Sequence, residues 1–163
     1  LATLNPNVHS MGERLLGHSV DLHLAQGWAA ERSFPAALDR SWGRDNDRGM
    51  THVGPHRADL QIRVDGQLAR ERVSRGQQKL VAAAMLLGQL RCDSEQGSPT
   101  AALLVDDPAA ELDAASLDKL LSEILALPLQ LFITALDDGH PALERLGAAA
   151  RFHVEHGNLT RLI

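Results

Sequence analysis

The segment between Ser74 and Ala135 alternates between helix-like and strand-like stretches, and this alternation most limits the folds open to the chain. The stretch "SRGQQKLVAAAMLLGQLRC" begins with Ser74, a residue type favoured at helix N-caps, and continues as a largely apolar helix that we expect to be buried on most sides. "AALLVD" is a short continuous apolar run, which is typical of a strand covered on both faces. The helix "AASLDKLLSEILAL", ended by Pro128, and the strand "LQLFITA" follow. This order predicts an α/β fold with a parallel sheet.

The first 48 residues lack this rhythm, and they predict a separate, mainly helical N-terminal lobe followed by a second unit over residues 49–163. Within the lobe, "ERSFPAALDRSWGRDNDRG" has apolar residues at helical spacing, Phe34, Leu38 and Trp42, and the helix breaks at Gly49. We expect Trp28 and Trp42 to lie in the core of this lobe.

Two hairpins are predicted outside the α/β segment. "ADLQIRVDGQL" alternates apolar and polar residues and then turns at Asp65 and Gly66, which is a strong hairpin signal. "RFHVEHGNLTRLI" predicts a second hairpin, around Gly157, at the edge of a sheet.

Composition indicates a globular domain. With 163 residues and 44% hydrophobic content, the chain is large enough for a compact core. Cys92 has no partner cysteine, and no apolar run approaches the roughly 20 residues of a membrane span, so we expect a cytoplasmic protein. The sequence opens at Leu1 instead of a methionine, which we interpret as a sign that it was cut out of something longer.

Charge is distributed unevenly along the chain, whose formal net charge is -5. Residues 40–75 hold eight arginines against five acidic residues, whereas residues 93–163 hold twelve acidic residues against four basic ones. A basic segment can follow phosphates, but with acidic residues interleaved an ordinary solvated surface explains it equally well.

The stretch "LLVDDPAAELD" places two adjacent carboxylates, Asp106 and Asp107, at the end of the predicted parallel strand. Ligands bind outside the carboxyl ends of such strands, so Asp106 is a candidate Mg²⁺ ligand and Asp107 a candidate for orienting or deprotonating water. A second interpretation is an acidic helix start, with Asp113 as the N-cap of the next helix. The stretch alone leaves both interpretations open.

The stretch "VSRGQQK" opens the long helix with Ser74, Gly76 and Gln77. A hydroxyl and exposed backbone N–H groups at the positive end of a helix are suited to binding an anion. Ser74 as a simple helix cap is the other interpretation.

Together and in this order, the two stretches resemble the ATP-binding-cassette (ABC) ATPases. In that family a signature "LSGGQ" opens a helix, and the following strand ends in "DE", then "P", then a loop ending "LD". Here Ser74, Gly76 and Gln77 match the signature, and Arg75 replaces a glycine. The resemblance implies a P-loop NTPase-like parallel-sheet half domain, the C-terminal part of an ATPase head. It also implies that Asp106 is the Mg²⁺-ligating Walker B carboxylate.

Within the same resemblance, Asp107 stands where most members have a catalytic Glu, and Asp113 matches the Asp of the D-loop between subunits. The Asp at 107, together with "GPHRADL", "SRGQQKL" and "QGW", is similar to the RecF family of recombination mediators. This resemblance covers most of the chain and is strongest over residues 52–113.

The resemblance to RecF implies functions that the residue pattern alone does not. It implies an ATP- and Mg²⁺-dependent homodimer in which Ser74 and Gly76 contact the γ-phosphate of the other subunit's nucleotide, while Asp106 and Asp107 serve their own. It also implies binding to gapped or junction DNA, action with RecO and RecR to load a recombinase, and roles in DNA repair, replication-fork maintenance and the SOS response.

Three departures qualify what the resemblance implies. No G-x-x-x-x-G-K-[ST] loop occurs in the 163 residues, so we expect the C-terminal half of a longer protein, inactive as an ATPase by itself. Many ABC ATPases carry a switch His after the strand that matches "LFIT", whereas here Thr134 is followed by Ala135. Asp107 is one methylene shorter than Glu, which favours a slow ATPase used as a switch.

Other interpretations remain open. His56 and Arg57 in "GPHR" are candidate phosphate or DNA contacts, or Gly54 and Pro55 mark only a turn. With 3% aromatic residues and no Tyr, any DNA is expected to be bound through its phosphates. The alternative functions are a non-catalytic protein-interaction module, a transporter subunit, or the head of a chromosome-maintenance (SMC) or double-strand-break-repair ATPase.

Overall fold

The longest helix, α4 (Arg75–Glu95), packs along α1 (Leu4–Leu16), and the two helices form the centre of the main core. The computed structural model describes five parts of the chain: residues 1–97, 101–136, 141–144, 146–147 and 150–162. Val8 and Leu15 of α1 are fully buried. An added Cβ at Gly88 would lie 2.8 Å from the Cα of Val8, so a larger residue at this position would force the helices apart.

One face of α4 is buried. The residues of that face follow helical spacing: Leu80, Val81, Ala84, Leu87, Gly88 and Cys92. On another face Leu86 is 48% exposed. The prediction of a helix buried on most sides is therefore wrong for this chain, because the buried residues of α4 lie on one face. The predicted start of the helix at Ser74 is confirmed.

A three-stranded antiparallel sheet has the order β1 (Val20–Ala25), β2 (Asp59–Val64), β3 (Gln67–Leu68). The predicted hairpin is confirmed, since β2 turns into β3 at Asp65 and Gly66, whose φ angles are 48° and 78°. Positive φ at both central residues gives the turn a twist that matches the flanking strands.

The sequence analysis did not predict β1. This strand pairs with β2 in a register that sets Val20 opposite Val64 and Leu22 opposite Ile62. The pairing joins residues on both sides of the boundary expected between residues 48 and 49, and the division into two units stays a prediction. A single turn, α3 (Ala69–Arg72), leads from β3 to α4.

The predicted helix before that boundary is confirmed as α2 (Phe34–Arg48), which ends where Gly49 takes a φ of 63°. It buries only Ala37 and Ser41. The prediction that Trp42 lies in a core is wrong, since the residue is 72% exposed. Phe34, Leu38 and Trp42 are spaced by four residues, and each such step advances about 40° around a helix. Trp42 therefore lies about 80° around the helix axis from Phe34, so the two side chains do not share one buried face.

The predicted parallel sheet is confirmed: β4 (Ala102–Val105) pairs with β5 (Gln130–Ile133). The connection between them contains a single turn, α5 (Pro108–Glu111), and the helix α6 (Ala114–Leu125). This strand–helix–strand unit confirms the α/β class.

Each face of the parallel sheet has a different environment. Leu103 is buried on the face that packs into the core. On the opposite face, Leu104 and Phe132 stand opposite each other in register and are 76% and 53% exposed. The expectation that the strand is covered on both faces therefore holds for one face among the described residues. Parallel sheets are normally covered on both faces, so this apolar face lacks a covering layer in the described part of the chain.

The predicted C-terminal hairpin is confirmed as β6 (Phe152–Glu155) and β7 (Asn158–Arg161), which turn at His156 and Gly157. Its residues are all exposed, and within the described residues its strands pair only with each other. The expected position at the edge of a larger sheet is therefore wrong for the described part of the chain. A single turn, α7 (Pro141–Glu144), precedes the hairpin. None of the helices in the described ranges has the length and apolar character that a membrane crossing requires.

Candidate active site

The carboxyl ends of β4 and β5 bring three polar residues together. The parallel register sets Val105 opposite Ile133, so the residues that follow each strand are neighbours. The Thr134 hydroxyl donates to Asp106 Oδ1 at 2.5 Å and accepts from the backbone N–H of Asp107 at 3.0 Å. The two predicted carboxylate residues therefore share one partner, which directly follows the adjacent strand. Sequence analysis singled out Thr134 only for the missing switch His and did not predict this contact.

Asp107 has a left-handed backbone, with φ 37° and ψ 56°. Non-glycine residues adopt this conformation uncommonly, and such outliers occur preferentially at functional sites. Asp107 stands at the N-cap of α5, but its side chain makes no capping hydrogen bond. The carboxylate of Asp107 is thus not consumed by the local turn.

The acidic pair fits a magnesium ion that is shared with a phosphate ligand. Asp106 is exposed and Asp107 is partly exposed at the strand end. No group of three or more His, Cys, Asp or Glu side chains in the described ranges is arranged to hold a metal by itself. Mg²⁺ is commonly held by one or two protein carboxylates and completes its octahedron with water and phosphate oxygens. The carboxylates of Asp106 and Asp107 therefore suit a Mg²⁺ ion whose other ligands are water and phosphate oxygens. They do not suit a metal site made of protein side chains alone.

Residues 106–113 form a loop that we call the acidic loop. Its end is fixed by Asp113, which is the N-cap of α6. Asp113 Oδ1 accepts from the backbone N–H of Ser116 at 3.0 Å, and Oδ2 accepts from the Ser116 hydroxyl at 2.8 Å. Leu112, immediately before it, packs against both hydrophobic clusters of the chain. The helix-cap interpretation of Asp113 is therefore confirmed, while its contact with a second subunit stays a prediction.

The cap predicts a pH dependence of stability. The backbone and hydroxyl hydrogen bonds from Ser116 hold the pKa of the Asp113 carboxyl below its ordinary value of 3.8. A carboxyl whose pKa is lower in the folded state stabilises the fold above its unfolded pKa, and this stability is lost as the pH falls through the folded pKa. Asp113→Asn keeps a good cap without a charge. We expect urea midpoints between pH 5 and 3 to fall more steeply for the parent than for this variant; parallel curves would contradict the assignment.

The signature stretch forms the start of α4. The Ser74 hydroxyl accepts from the backbone N–H of Gln77 at 3.3 Å, and the Gln77 side-chain carbonyl accepts from the backbone N–H of Ser74 at 3.0 Å. This capping box confirms the simple-cap interpretation of Ser74. It leaves the anion-binding interpretation standing, because the cap uses an oxygen lone pair and not the hydroxyl proton.

Gly76 is a helix residue that the fold of this chain does not require. It is exposed, and an added Cβ would meet nothing within 4 Å. Glycine inside a helix is less stable than alanine by about 1 kcal/mol, so no described contact explains its presence. A close approach of something outside the chain would explain it.

No protein-family model matches this chain. Curated relatives do match: the DNA replication and repair protein RecF of Thioalkalivibrio sulfidiphilus is 38% identical over 160 residues, which are 98% of this chain and 44% of that protein. RecF of Stenotrophomonas maltophilia is 39% identical over 139 residues, 85% of this chain and 38% of that protein. The chain is a RecF homologue. It spans about two-fifths of the length of the RecF relatives that it matches, which is consistent with the predicted C-terminal half.

Solved structures agree on the fold. The recombination mediator RecF with ATP, from the RecFOR pathway, superposes with a TM-score of 0.67 at 20% identity, covering 99% of this chain and 44% of that one. An SMC head bound to the C-terminal winged-helix domain of ScpA superposes with a TM-score of 0.59 at 15% identity, covering 99% of this chain and 42% of that one. The fold is therefore that of part of an ABC-type ATPase head, as the RecF resemblance implied.

The "GPHR" stretch of this RecF homologue forms a single tight turn against "QGW". The backbone N–H of Gly54 donates to Gly27 O at 3.1 Å, and an added Cβ at Gly27 would meet Gly54 O at 2.1 Å. Trp28 packs its ring against Phe34 with centroids 4.9 Å apart. The predicted turn is confirmed, and the glycines allow its close packing.

Neither candidate contact in that turn joins the acidic pair or the signature. His56 Nε2 lies 3.1 Å from Thr51 O, a contact within the same loop. Arg57 is exposed, and its backbone N–H donates to Gly54 O. A role for Arg57 in binding phosphate or DNA stays a prediction.

Proposed function

We propose that this chain supplies the signature, the Walker B acids and the D-loop of a RecF-type ATPase head, which binds ATP and Mg²⁺ and hydrolyses ATP slowly. The observation that carries the proposal is the Thr134 hydroxyl, which bonds both Asp106 and the backbone of Asp107 at the ends of two parallel strands. An acidic helix start would not need a hydroxyl from the neighbouring strand. The cluster lies at the carboxyl ends of two parallel strands, which is where ligands bind in sheets of this kind.

In this proposal Asp106 and Asp107 have different tasks. Asp106 holds Mg²⁺, which when bound neutralises charge on the phosphates of ATP. Thr134 fixes the orientation of the Asp106 carboxylate through its hydroxyl. Asp107, whose carboxylate does not cap α5, orients the attacking water and accepts its proton.

The phosphate cradle must come from another segment, since the 163 residues contain no G-x-x-x-x-G-K-[ST] motif. Side chains alternate along a strand, so Asp106 follows Leu104 on the uncovered face of the sheet, and Thr134 follows Phe132. We infer that this face packs against the part of RecF that the chain does not match.

The surface around Ser74, Gly76, Gln77 and Asp113 contacts the nucleotide of a second copy. Ser74 keeps a hydroxyl proton to donate, Gly76 allows close approach, and the start of α4 is the positive end of its dipole. ATP then bridges two copies, and its hydrolysis removes the contact that favours the dimer.

By analogy with its RecF relatives, the ATP-bound dimer binds gapped or junction DNA through phosphates, with Arg57 as a candidate contact. RecR and RecO are the proposed protein partners in recombinational repair, fork maintenance and the SOS response, in the cytoplasm. The names of the relatives support replication and repair in general.

A chimaera tests the proposal. In it, this chain replaces the matched 44% of RecF from Thioalkalivibrio sulfidiphilus. We expect the chimaera to bind ATP, dimerise with ATP and Mg²⁺ by light scattering, hydrolyse ATP slowly and bind DNA with a steep salt dependence. A folded chimaera that binds ATP but neither dimerises nor hydrolyses it would contradict the proposal and favour a non-catalytic interaction module.

Substitutions of Thr134 directly test the role of its hydroxyl, which bonds Asp106 and the backbone of Asp107. Thr134→Val keeps the shape of the side chain but removes the hydroxyl, while Thr134→Ser keeps the hydroxyl. Partners that orient a metal ligand typically contribute 10–100-fold to metal affinity or activity, so we expect Thr134→Val to need about tenfold more Mg²⁺ for half-maximal hydrolysis. Thr134→Ser should stay near the parent. Equal Mg²⁺ requirements for all three proteins would rule out the assigned role.

A further inference from the structure

One ion pair joins the helix that carries the signature residues to the loop that carries the Walker B acids and Asp113. The ammonium of Lys79, in the second turn of α4, pairs with the carboxylate of Glu111, the last residue of α5. We propose that Lys79 and Glu111 are positioning residues, which hold the acidic loop 106–113 against the start of α4. This inference rests on the proposed function, in which that loop serves one nucleotide and the start of α4 contacts another.

The acidic loop is anchored at three places, and each anchor belongs to a different element. Thr134, after β5, holds the beginning of the loop through Asp106. Ser116 of α6 holds its end through Asp113. Neither of these anchors is on α4. The Glu111 contact is the one of the three that leads to the helix carrying the signature.

Both members of the pair lie close in sequence to residues that would touch nucleotide. Lys79 follows Ser74 by five residues, which is about 7.5 Å along a helix. Glu111 precedes Asp113 by two residues, and the intervening Leu112 is packed against both hydrophobic clusters. A displacement of Glu111 therefore moves Asp113 relative to Ser74, because the packed Leu112 side chain connects Glu111 to Asp113 and transmits the shift.

The exposure of the pair argues against a mainly stabilising role. The Lys79 and Glu111 side chains are 50% and 52% exposed. Ion pairs at such positions contribute little to folding stability, since water and salt screen them. Their expected effect is on the geometry between two parts of a surface, and a dimer that closes on both parts at once is sensitive to that geometry.

Charge reversal tests the pair. In the chimaera, Lys79→Glu or Glu111→Lys alone places like charges together, and the double variant restores an opposite pair with its ends exchanged. We expect each single variant to weaken ATP-dependent dimerisation about tenfold, within the usual range of coupling between sites, and the double variant to recover most of the loss. Arg91→Glu is the matched control, because Arg91 pairs with Glu95 inside α4 and does not reach the loop.

Amide hydrogen exchange without nucleotide measures the same contact independently of ATP. Exchange in residues 75–79 and 107–113 should be faster in both single variants and return toward the parent in the double variant, while Arg91→Glu leaves it unchanged in the loop. Single variants that dimerise and exchange like the parent would overturn the inference. So would a double variant no better than the singles.

The two proposals fail in different ways. If the parent chimaera does not dimerise with ATP, the proposed function is contradicted, and the exchange data alone decide the positioning role. If the parent dimerises and the charge reversals have no effect on dimerisation, the proposed function stands and the positioning role is overturned.

Discussion

Asp107→Asn is expected to leave ATP binding by the chimaera unchanged and to slow hydrolysis by a factor of about 10² to 10⁴, the usual contribution of a positioned general base. The amide is nearly the same size as the carboxylate, so the turn into α5 should be preserved. Asparagine also tolerates the left-handed backbone that Asp107 adopts, with φ 37°. The loss should therefore be in the chemical step, measured as single-turnover hydrolysis of bound ATP.

Slow hydrolysis has a visible consequence for the dimer. Because ATP is the bridge between copies, a variant that binds but does not hydrolyse it should keep the dimer for longer after excess ATP is removed. Asp39→Asn is the control, since Asp39 is exposed on α2 and takes no part in the strand-end cluster. Full hydrolysis by Asp107→Asn would remove Asp107 from the mechanism, and weaker ATP binding would indicate that it holds the ion or the phosphates instead.

Sequence alone predicted the local features of the fold well. The cap at Ser74, the turn at Asp65 and Gly66, and the apolar strand before Asp106 each depend on residues within a few positions of one another. Capping, turn conformation and strand patterning are all determined by residues that are close in sequence. The family resemblance depended on two such local stretches in a fixed order.

What sequence analysis missed was set by contacts between distant residues. Thr134 meets Asp106 across 28 positions of sequence, and only the register of β4 and β5 places them side by side. Lys79 and Glu111 meet across 32 positions, and their contact is an ion pair between α4 and the last residue of α5. The sequence did contain a usable signal for the first contact. Residues that directly follow two parallel strands lie at the same edge of the sheet, so Asp106 after Val105 and Thr134 after Ile133 could have been expected to meet.

Trp42 shows a different kind of error. Its spacing from Phe34 fits a helix, and the helix is there. Spacing by four does not fix which stripe is buried, however, because the series rotates around the helix axis. The buried residues of α2 are the small ones, Ala37 and Ser41, and a count of large apolar residues does not find them.

Ser74→Arg is expected to abolish ATP-dependent dimerisation of the chimaera while leaving ATP binding intact. The arginine would place a bulky cation where the other copy presents its γ-phosphate, and it would also remove the hydroxyl that caps α4. Losing a serine cap costs roughly 0.5–2 kcal/mol of stability, so a second variant is needed to separate folding from contact. Ser74→Asp keeps the cap but brings a negative charge toward the phosphates, and it should block dimerisation in a folded protein.

Gly76→Ala completes the test at the same helix start. An added Cβ there meets nothing within 4 Å, and alanine is the better helix former, so the variant should be at least as stable as the parent. Any loss of dimerisation in Gly76→Ala must then arise from a group outside this chain that approaches the helix closely. Unchanged dimerisation by light scattering in Ser74→Arg and Gly76→Ala would contradict the signature assignment, because neither the hydroxyl nor the open space beside it would be used in the dimer.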